Sequence, residues 1–365
     1  MPPSPTPQPS PSLFYPQPRH PLTSLLTSPL QTLLTLLYTT QPPITSPPTA
    51  SPPIRIACIS DTHNAFPGLP LHDSWGEVVV DIVLHAGDLS NGGSLQEVRG
   101  AVGWLDGVAR GRGEGNGYRG EGGGGEGGKG VVAVVVVAGN HDIVLDEACW
   151  GAHGARFLNH GDGENSGTGN GNDGDGARLL DWGAVTYLQN RSVAVDVDVE
   201  GKGTHRTLKI YGAPHTRRNG NWAFQYPADA GESVWADSVP DDTDILLTHG
   251  PAKGRLDFLP TNPGCPALLR EVWRVKPRLH VHGHVHGGRG REVLDWGAVQ
   301  WCYDWVVGGE VRGMRGWGLL CWAVGGWVAA WIMYLGMGRR REGRSEVVNA
   351  AWEGNQGAGV EVVEV

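Results

Sequence analysis

The sequence predicts an α/β domain whose sheet is parallel over at least part of its width, and three observations carry that prediction. Short runs rich in Val, Ile and Leu recur along the chain: "IRIACIS", "DIVLHAG", "VVAVVVVAG", "DILLT" and "RLHVHG". Apolar runs of this length, bounded by Gly or Pro, are buried-strand signals. Each run leads directly into a polar cluster, and one amphipathic helix fits between two of the runs. A strand–helix–strand order implies parallel pairing.

Taken in order, residues 1–53 are rich in Pro, Ser and Thr, and the first acidic residue is Asp61. Such a segment buries too little apolar surface to offset its ordering entropy, so a largely disordered leader is expected. Within it "LTSLLTSPLQTLLTLLY" (22–38) is mildly apolar and reads as weakly helical. Arg19 is the only basic residue before Arg55, too few for a strong organellar-targeting signal. "IRIACIS" (54–60) is the first strand and "DIVLHAG" (81–87) the second. Between the second and third, Ser94 and Glu97 form a capping-box pattern, with Leu95, Val98, Val102, Leu105 and Ala109 on one apolar face. "VVAVVVVAG" (131–139) follows a glycine-rich stretch at 111–130, and a second such stretch occupies 161–176. Both read as flexible surface loops within one domain running from 54 to 365. "DILLT" (244–248) and "RLHVHG" (278–283) supply two further strands.

The formal charge of −9 leaves no basic footprint, so nucleic acid is not an expected partner. Five scattered cysteines without CxxC spacing suit reduced thiols and a cytoplasmic setting better than a disulfide framework.

The polar clusters carry the chemistry. They are Asp61-Thr62-His63, Asp88, Asn140-His141-Asp142, His249-Gly250-Pro251 and His284-Val285-His286. Asp61 and His63 are two apart at a strand end, and an extended backbone would point both to one side; His284 and His286 repeat the spacing. Oxygen and nitrogen donors without thiolate suit divalent Mn, Fe or Zn. Seven donors (Asp61, His63, Asp88, Asn140, His249, His284, His286) exceed what one ion needs, and two ions sharing Asp88 would use them all. A pair of ions about 3.5–4 Å apart clamps the attacking and leaving oxygens of a phosphoryl centre.

In this order, D-x-H, G-D, G-N-H-D, a later H-G and G-H-x-H resemble the calcineurin-like metallophosphoesterase superfamily, over Ile54 to about Asp304. The resemblance implies a four-layer α/β sandwich, two mixed β-sheets flanked by helices. It implies that Asp61, His63, Asp88 and His286 hold one divalent ion, and that Asp88, Asn140, His249 and His284 hold the other. His141 then stands outside the metal shell, as general acid to the leaving oxygen of a phosphate ester attacked by a hydroxide between the ions. "LKIYGAPHTRRNGNWAFQY", "TDILLTHGPAKGRLD" and "KPRLHVHGHVHGGRG" are similar to a eukaryotic branch of metallophosphoesterase-domain-containing proteins with animal and fungal members. Some animal members lack one histidine of G-H-x-H and are poor catalysts; both are present here. A small-molecule phosphate ester, with diesters as the expected class, is the implied substrate. A catalytically weak metal-binding scaffold and a nuclease are the alternatives.

Other polar residues carry blander expectations. His280 and His282 read as hydrogen-bonded core or as support for the ligands. His85 packs in its strand, and Asp142 holds turn geometry or orients His141. Arg217 and His215, in one loop, are candidate substrate contacts, with solvation the alternative for the arginine.

"GWGLLCWAVGGWVAAWIMYLGMG" (316–338) is uncharged between Arg315 and Arg339. Its hydropathy allows a membrane span. The following "SEVVNAAWEGNQGAGVEVVEV" (345–365) resembles the closing strands of the same family, which makes 305–344 an insertion. A helix packed on the domain or lying in a membrane interface is therefore expected, with peripheral membrane association through 316–338.

Overall fold

The computed structural model describes residues 25–43, 52–69, 80–110, 131–151, 180–198, 204–257, 263–309, 311, 313–337, 343–352 and 360–365. The glycine-rich stretches 111–130 and 161–176 lie outside the described residues.

In chain order the elements are α1 (Pro29–Thr39), β1 (Arg55–Ile59), β2 (Ile82–His85), α2 (Leu95–Ala109), β3 (Ala133–Val136), β4 (Val185–Tyr187), β5 (Arg191–Asp198) and β6 (His205–Ala213). Then come β7 (Thr216–Arg217), β8 (Gln225–Tyr226), α3 (Gly231–Trp235), β9 (Ile245–Thr248), α4 (Pro266–Val275), β10 (Leu279–His282) and β11 (Gly290–Leu294). The chain closes with α5 (Ala298–Val307), α6 (Gly313–Met337), β12 (Ser345–Asn349) and β13 (Glu361–Glu364).

Two mixed sheets form, in strand orders β13-β1-β2-β3-β4 and β11-β12-β10-β9-β6-β5. Strands β1 to β4 pair in parallel, as do β6, β9, β10 and β12, with β13, β11 and β5 antiparallel at three of the four edges. The period-two pattern decides which face each residue takes. Ile56 and Cys58 of β1, Ile82 and Leu84 of β2 and Val135 of β3 meet Leu208, Ile210, Ile245, Leu247, Leu279 and Val281 of the second sheet in one core. The alternate residues Ala57, Val83, Val134 and Val136 face α2 instead. Leu246 and Val347 face α3 and α4 on the far side. This is the four-layer arrangement expected.

Helix α2 starts as its sequence dictates. Ser94 Oγ accepts from Glu97 N at 3.3 Å, and Glu97 Oε2 accepts from Ser94 N at 3.0 Å. Its buried face comprises Val98, Ala101, Val102, Leu105 and Val108.

The leader departs from expectation. Residues 29–39 form a helix whose Leu30, Leu34 and Leu37 lie at i, i+4 and i+7. That stripe packs with Cys302, Tyr303, Val306 and Ala323 of α5 and α6. The expectation of a largely disordered 1–53 is thus corrected for this segment: one apolar stripe is sufficient once two other helices supply its partner. Pro29 at the first helical position and the absence of charge favour the same outcome. After α6 the chain returns to both sheets through β12 and β13, and Ser60 bridges Ala351 between them.

Candidate metal centre

Parallel pairing brings the carboxyl ends of β1, β2 and β3 to one edge of the first sheet, and those of β9 and β10 to the facing edge of the second. Such edges are where open α/β sheets hold ligands. All seven expected donors meet there. Asp61, His63 and His286 offer atoms within 4.8 Å of one another, as do Asp88, His249 and His284, and as do His63, Asp88 and His141. Asn140 joins the second group, its Oδ1 3.0 Å from His249 Nε2.

The route by which the donors converge differs from the extended backbone expected from the two-residue spacing. Asp61, His63, Asp88 and His284 all have left-handed backbones, with φ of 56°, 45°, 53° and 66°. Asn64 adds a fifth of the eleven such non-glycine residues among the described residues. Backbone hydrogen bonds hold the turns: Asp61 N donates to Gly87 O at 2.9 Å, and His63 N to Asp88 O at 3.1 Å. Each such conformation costs about 1–3 kcal/mol, and clusters of them mark functional sites. Here the strain folds both D-x-H and G-H-x-H back over the strand ends.

Glycines create the room. A Cβ on Gly87 would meet His249 Nδ1 at 2.6 Å, and one on Gly139 would meet His249 Cε1 at 2.7 Å and overlap Asp88. One on Gly283 would collide with Ser60 and Asp61. The glycines of G-D, G-N-H-D and G-H-x-H are therefore steric requirements of the donors packed against them.

The imidazoles are presented by their other nitrogens. His249 Nδ1 lies 2.7 Å from the Ala86 carbonyl, and His63 Nδ1 lies 3.1 Å from that of Ser90. A carbonyl can only accept, so each Nδ1 carries a proton and each Nε2 is the nitrogen turned to the cleft. His249 Nε2 stands 3.3 Å from Asp88 Oδ1, and His286 Nε2 stands 3.2 Å from Asp61 Oδ1. Asp61 also accepts from His284 N at 3.0 Å, and Asp88 from His141 N at 2.8 Å.

The electrostatics favour a cation. Burial works against ionised Asp61, but His286 and His249 outweigh it and hold the carboxyl far below its ordinary range. Burial likewise opposes ionised Asp88, and His249 outweighs it in the same direction. Burial opposes charge on His249 as well, and Asp88 overrides it, raising the imidazole to about 9. Burial lowers His284 to about 4, so it is a neutral donor. Two buried, ionised carboxylates among imidazole nitrogens form a set that a divalent ion would complete, the ion replacing the proton that Asp88 favours on His249.

Supporting residues surround this set. Asp142 Oδ2 accepts from Leu89 N at 3.1 Å and Gly139 N at 2.8 Å, and its Oδ1 accepts from Ser90 N at 2.8 Å. It stitches the Asp88 loop to the Asn140 loop, which is turn geometry rather than orientation of His141. His85 Nε2 lies 3.0 Å from Thr62 Oγ1, and His280 Nε2 lies 2.9 Å from Thr248 Oγ1. Burial holds His85 at about 3 and His282 at about 4, so these core imidazoles are neutral.

His141 stands at the rim. Its Nδ1 lies 2.7 Å from the Asn91 carbonyl, and its ring stacks on Trp222 with centroids 4.2 Å apart. Sequence reasoning missed both partners, because neither lies near His141 in the chain. A cavity of about 250 Å³ opens beside His284, lined by His215, Arg217, Arg218, Tyr226 and Cys265. His215 and Arg217 therefore share a cavity with the candidate donor His284. Arg217 Nη1 donates to the Gly264 carbonyl at 3.3 Å.

Comparison with known proteins adds a family. Residues 54–288 match the model of the calcineurin-like phosphoesterases. A probable rhamnogalacturonate lyase C of Emericella nidulans is 33% identical over 70% of this chain, which covers 19% of that protein. The human metallophosphoesterase domain-containing protein 1 is 28% identical over 65% of this chain and 61% of its own length. A UPF0046 protein of Caenorhabditis elegans is 30% identical over 65% of each. The chain thus spans a fifth to two thirds of these relatives. Phosphopantetheinyl hydrolase from Mycobacterium tuberculosis aligns in structure at 15% identity and a TM-score of 0.37, over 68% of this chain and 88% of its own.

Proposed function

The chain belongs to the calcineurin-like phosphoesterase family, and on that premise we propose that it hydrolyses phosphodiesters at a two-metal centre. Asp61, His63, Asp88 and His286 would hold one ion; Asp88, Asn140, His249 and His284 would hold the other. Mn, Fe or Zn suits this mixed oxygen and nitrogen set. When bound, the pair supplies Lewis acidity and activation of water for attack on phosphorus. The observation that carries the reading is the convergence of seven donors, two of whose imidazoles, His63 and His249, are already oriented by backbone carbonyls.

The remaining roles belong to the protein's own groups. His141 keeps its Nδ1 proton on the Asn91 carbonyl whether the ring is charged or neutral, so the proton it gives up is the one on Nε2. Trp222 holds the plane of the ring. That proton passes to the leaving oxygen as the ester bond breaks. The cavity beside His284 supports a diester: it offers a second esterified group a place next to the reacting phosphorus, with Arg217 and Arg218 to meet an anionic substituent. Burial keeps His215 neutral there, as a hydrogen-bonding wall.

The test is a screen of the full chain, loaded with Mn, Zn or Fe, against bis(p-nitrophenyl) phosphate, p-nitrophenyl phosphate and single-stranded DNA. Higher kcat/KM on the diester, abolished by a chelator and restored by metal, is expected. Two bound metals without turnover of any ester would instead identify a scaffold, and preferential digestion of the DNA a nuclease.

A further inference from the structure

The feature that hydrolysis leaves unused is the pair of helices α1 and α6, and we infer that together they form a platform that lies flat on one leaflet of a lipid bilayer. This inference is independent of the reading of the metal centre.

Helix α6 is long and apolar enough to cross a membrane, and only 11% of its most apolar window is buried. What is buried follows a narrow seam. Gly316, Ala323 and Ala330, seven residues apart, are its buried positions, and seven residues is nearly two turns, so they share one face. Small residues along a seam let helices approach closely. A Cβ at Gly316 would collide with Leu30 of α1, and one at Gly326 would press on Ala298 of α5 at 3.2 Å. Trp327 Nε1 and Trp331 Nε1 both donate to the Thr40 carbonyl at 3.3 Å, tying α6 to the end of α1. The helix therefore lies lengthwise against the domain from Gly316 to Trp331, about 22 Å at 1.5 Å per residue.

The opposite face is large, apolar and unpartnered among the described residues. Met314 is 87% exposed, Leu335 78% and Ile332 66%, with Trp317, Val324 and Val328 beside them. Leu26, at 84%, and Leu36 add exposed apolar side chains on the N-terminal segment and α1. Across 25–43 and 313–337 there is one charged residue, Arg315, and no acid.

Three features select lipid as the occupant. The absence of acid, in a chain of net charge −9, avoids repulsion from an anionic leaflet, and arginines flank the apolar stretch at 315 and 339–341. Tryptophan is the residue suited to the membrane interface, and α6 carries four. The geometry rules out a span: α5 leads into α6 from one side of the domain, and β12 re-enters the same sheet that holds β9 and β10. The domain lies along the flank of α6 rather than beyond its ends, so inserting the helix across the bilayer would drag the polar domain into lipid. A flat, half-submerged helix keeps the seam and wets only the outer face.

The test is co-sedimentation of the full chain with phosphatidylcholine vesicles, with and without phosphatidylserine. Binding by the wild type, stronger with the anionic lipid, is expected. Leu26→Glu and Ile332→Glu change exposed positions outside the core. Each should lower the partition coefficient about tenfold, the value of burying one such side chain, while leaving the thermal unfolding midpoint in place. Absence of vesicle binding by a chain that runs as a dimer would mean that a second copy covers this face, and would overturn the inference. So would carbonate-resistant binding with residues 345–365 protected from protease added on the side of the metal centre, which would establish a span.

Discussion

The ligand cleft and the α1–α6 platform are built on opposite principles. The cleft spends stability on chemistry: four of its donors sit in left-handed backbone, its carboxylates are buried, and three glycines keep a clearance that one methyl group would close. The platform is relaxed helix with a seam of small residues, and a dense polar knot at Arg255, on the segment after β9, lies against it. That side chain pairs with Glu292 at 2.7 Å and with Asp304, while the rings of Tyr38 and Tyr303 lie 4.9 and 5.1 Å from its guanidinium carbon. Four left-handed donors in the cleft, against no left-handed non-glycine residue among the described residues of α1 and α6, say where function demanded departure from ideal geometry.

The sharpest way to break the contrast is Asp88→Ala. If Asp88 alone is shared by both ions, the variant should fall from two bound metals toward none and lose hydrolysis. Added Mn should raise the unfolding midpoint of the wild type, by about 2.7 kcal/mol of linkage at one hundred times Kd, and leave that of the variant unmoved. Elemental analysis that still found two ions per chain would remove Asp88 from its bridging role.

Next in size is His141→Ala, which separates proton transfer from metal binding. The variant should keep both metals, since no donor among the seven is lost. Loss of a general acid costs about 10²–10⁴ in rate, and the cost should depend on the leaving group. Nitrophenolate leaves readily unprotonated, whereas an alkoxide does not. A loss equal on nitrophenyl and alkyl esters would reduce His141 to positioning the phosphate.

The two regions also differ in how well the sequence announces them. The candidate donors were legible because coordination chemistry restricts residue type and the strand ends restrict place; the family resemblance then selects Asp61, His63, Asp88, Asn140, His249, His284 and His286 from among the polar residues there. The way their side chains converge was not legible, because the left-handed turns at Asp61 and His284 depend on hydrogen bonds from other segments. Trp222 and Asn91 were hidden for the same reason: they reach His141 only through the fold. The docking of α1 was hidden more deeply. Its leucines at 30, 34 and 37 are a modest stripe in a segment that reads only as weakly helical, and their partners lie some 270 residues away in α5 and α6. Composition describes what a segment can bury by itself, and α1 buries its stripe on something else.

Within the platform, Leu34→Ala and Leu36→Ala should differ by their faces. Leu34 is fully buried, so its truncation should cost about 2–5 kcal/mol. Leu36 is 57% exposed and should change stability by less than about 0.5 kcal/mol. Equal effects in chemical denaturation would mean that α1 is not docked as described.

The smallest expected effect bears on whether the platform and the cleft are linked at all. Arg255 lies six residues beyond His249, on the segment whose Gly250 and Pro251 line the cavity beside His284. Tyr38 reaches it from α1: its hydroxyl accepts from Arg255 Nη1 at 2.7 Å and donates to Glu292 Oε1 at 2.7 Å. Tyr38→Phe keeps the ring stacked on Tyr303, whose centroid is 4.5 Å away, and removes only the hydroxyl. Arg255 retains Glu292 and Asp304, so no buried charge is left unpaired, and the loss should be about 1 kcal/mol, the net worth of a hydrogen bond. If the two regions are separate, kcat and KM on a diester should stay within about twofold of wild type. A rise in KM of tenfold or more, with stability lowered only by that 1 kcal/mol, would show the opposite. The seating of α1 would then set the position of residues 250–255, and lipid contact at the platform would have a mechanical route to the substrate cavity.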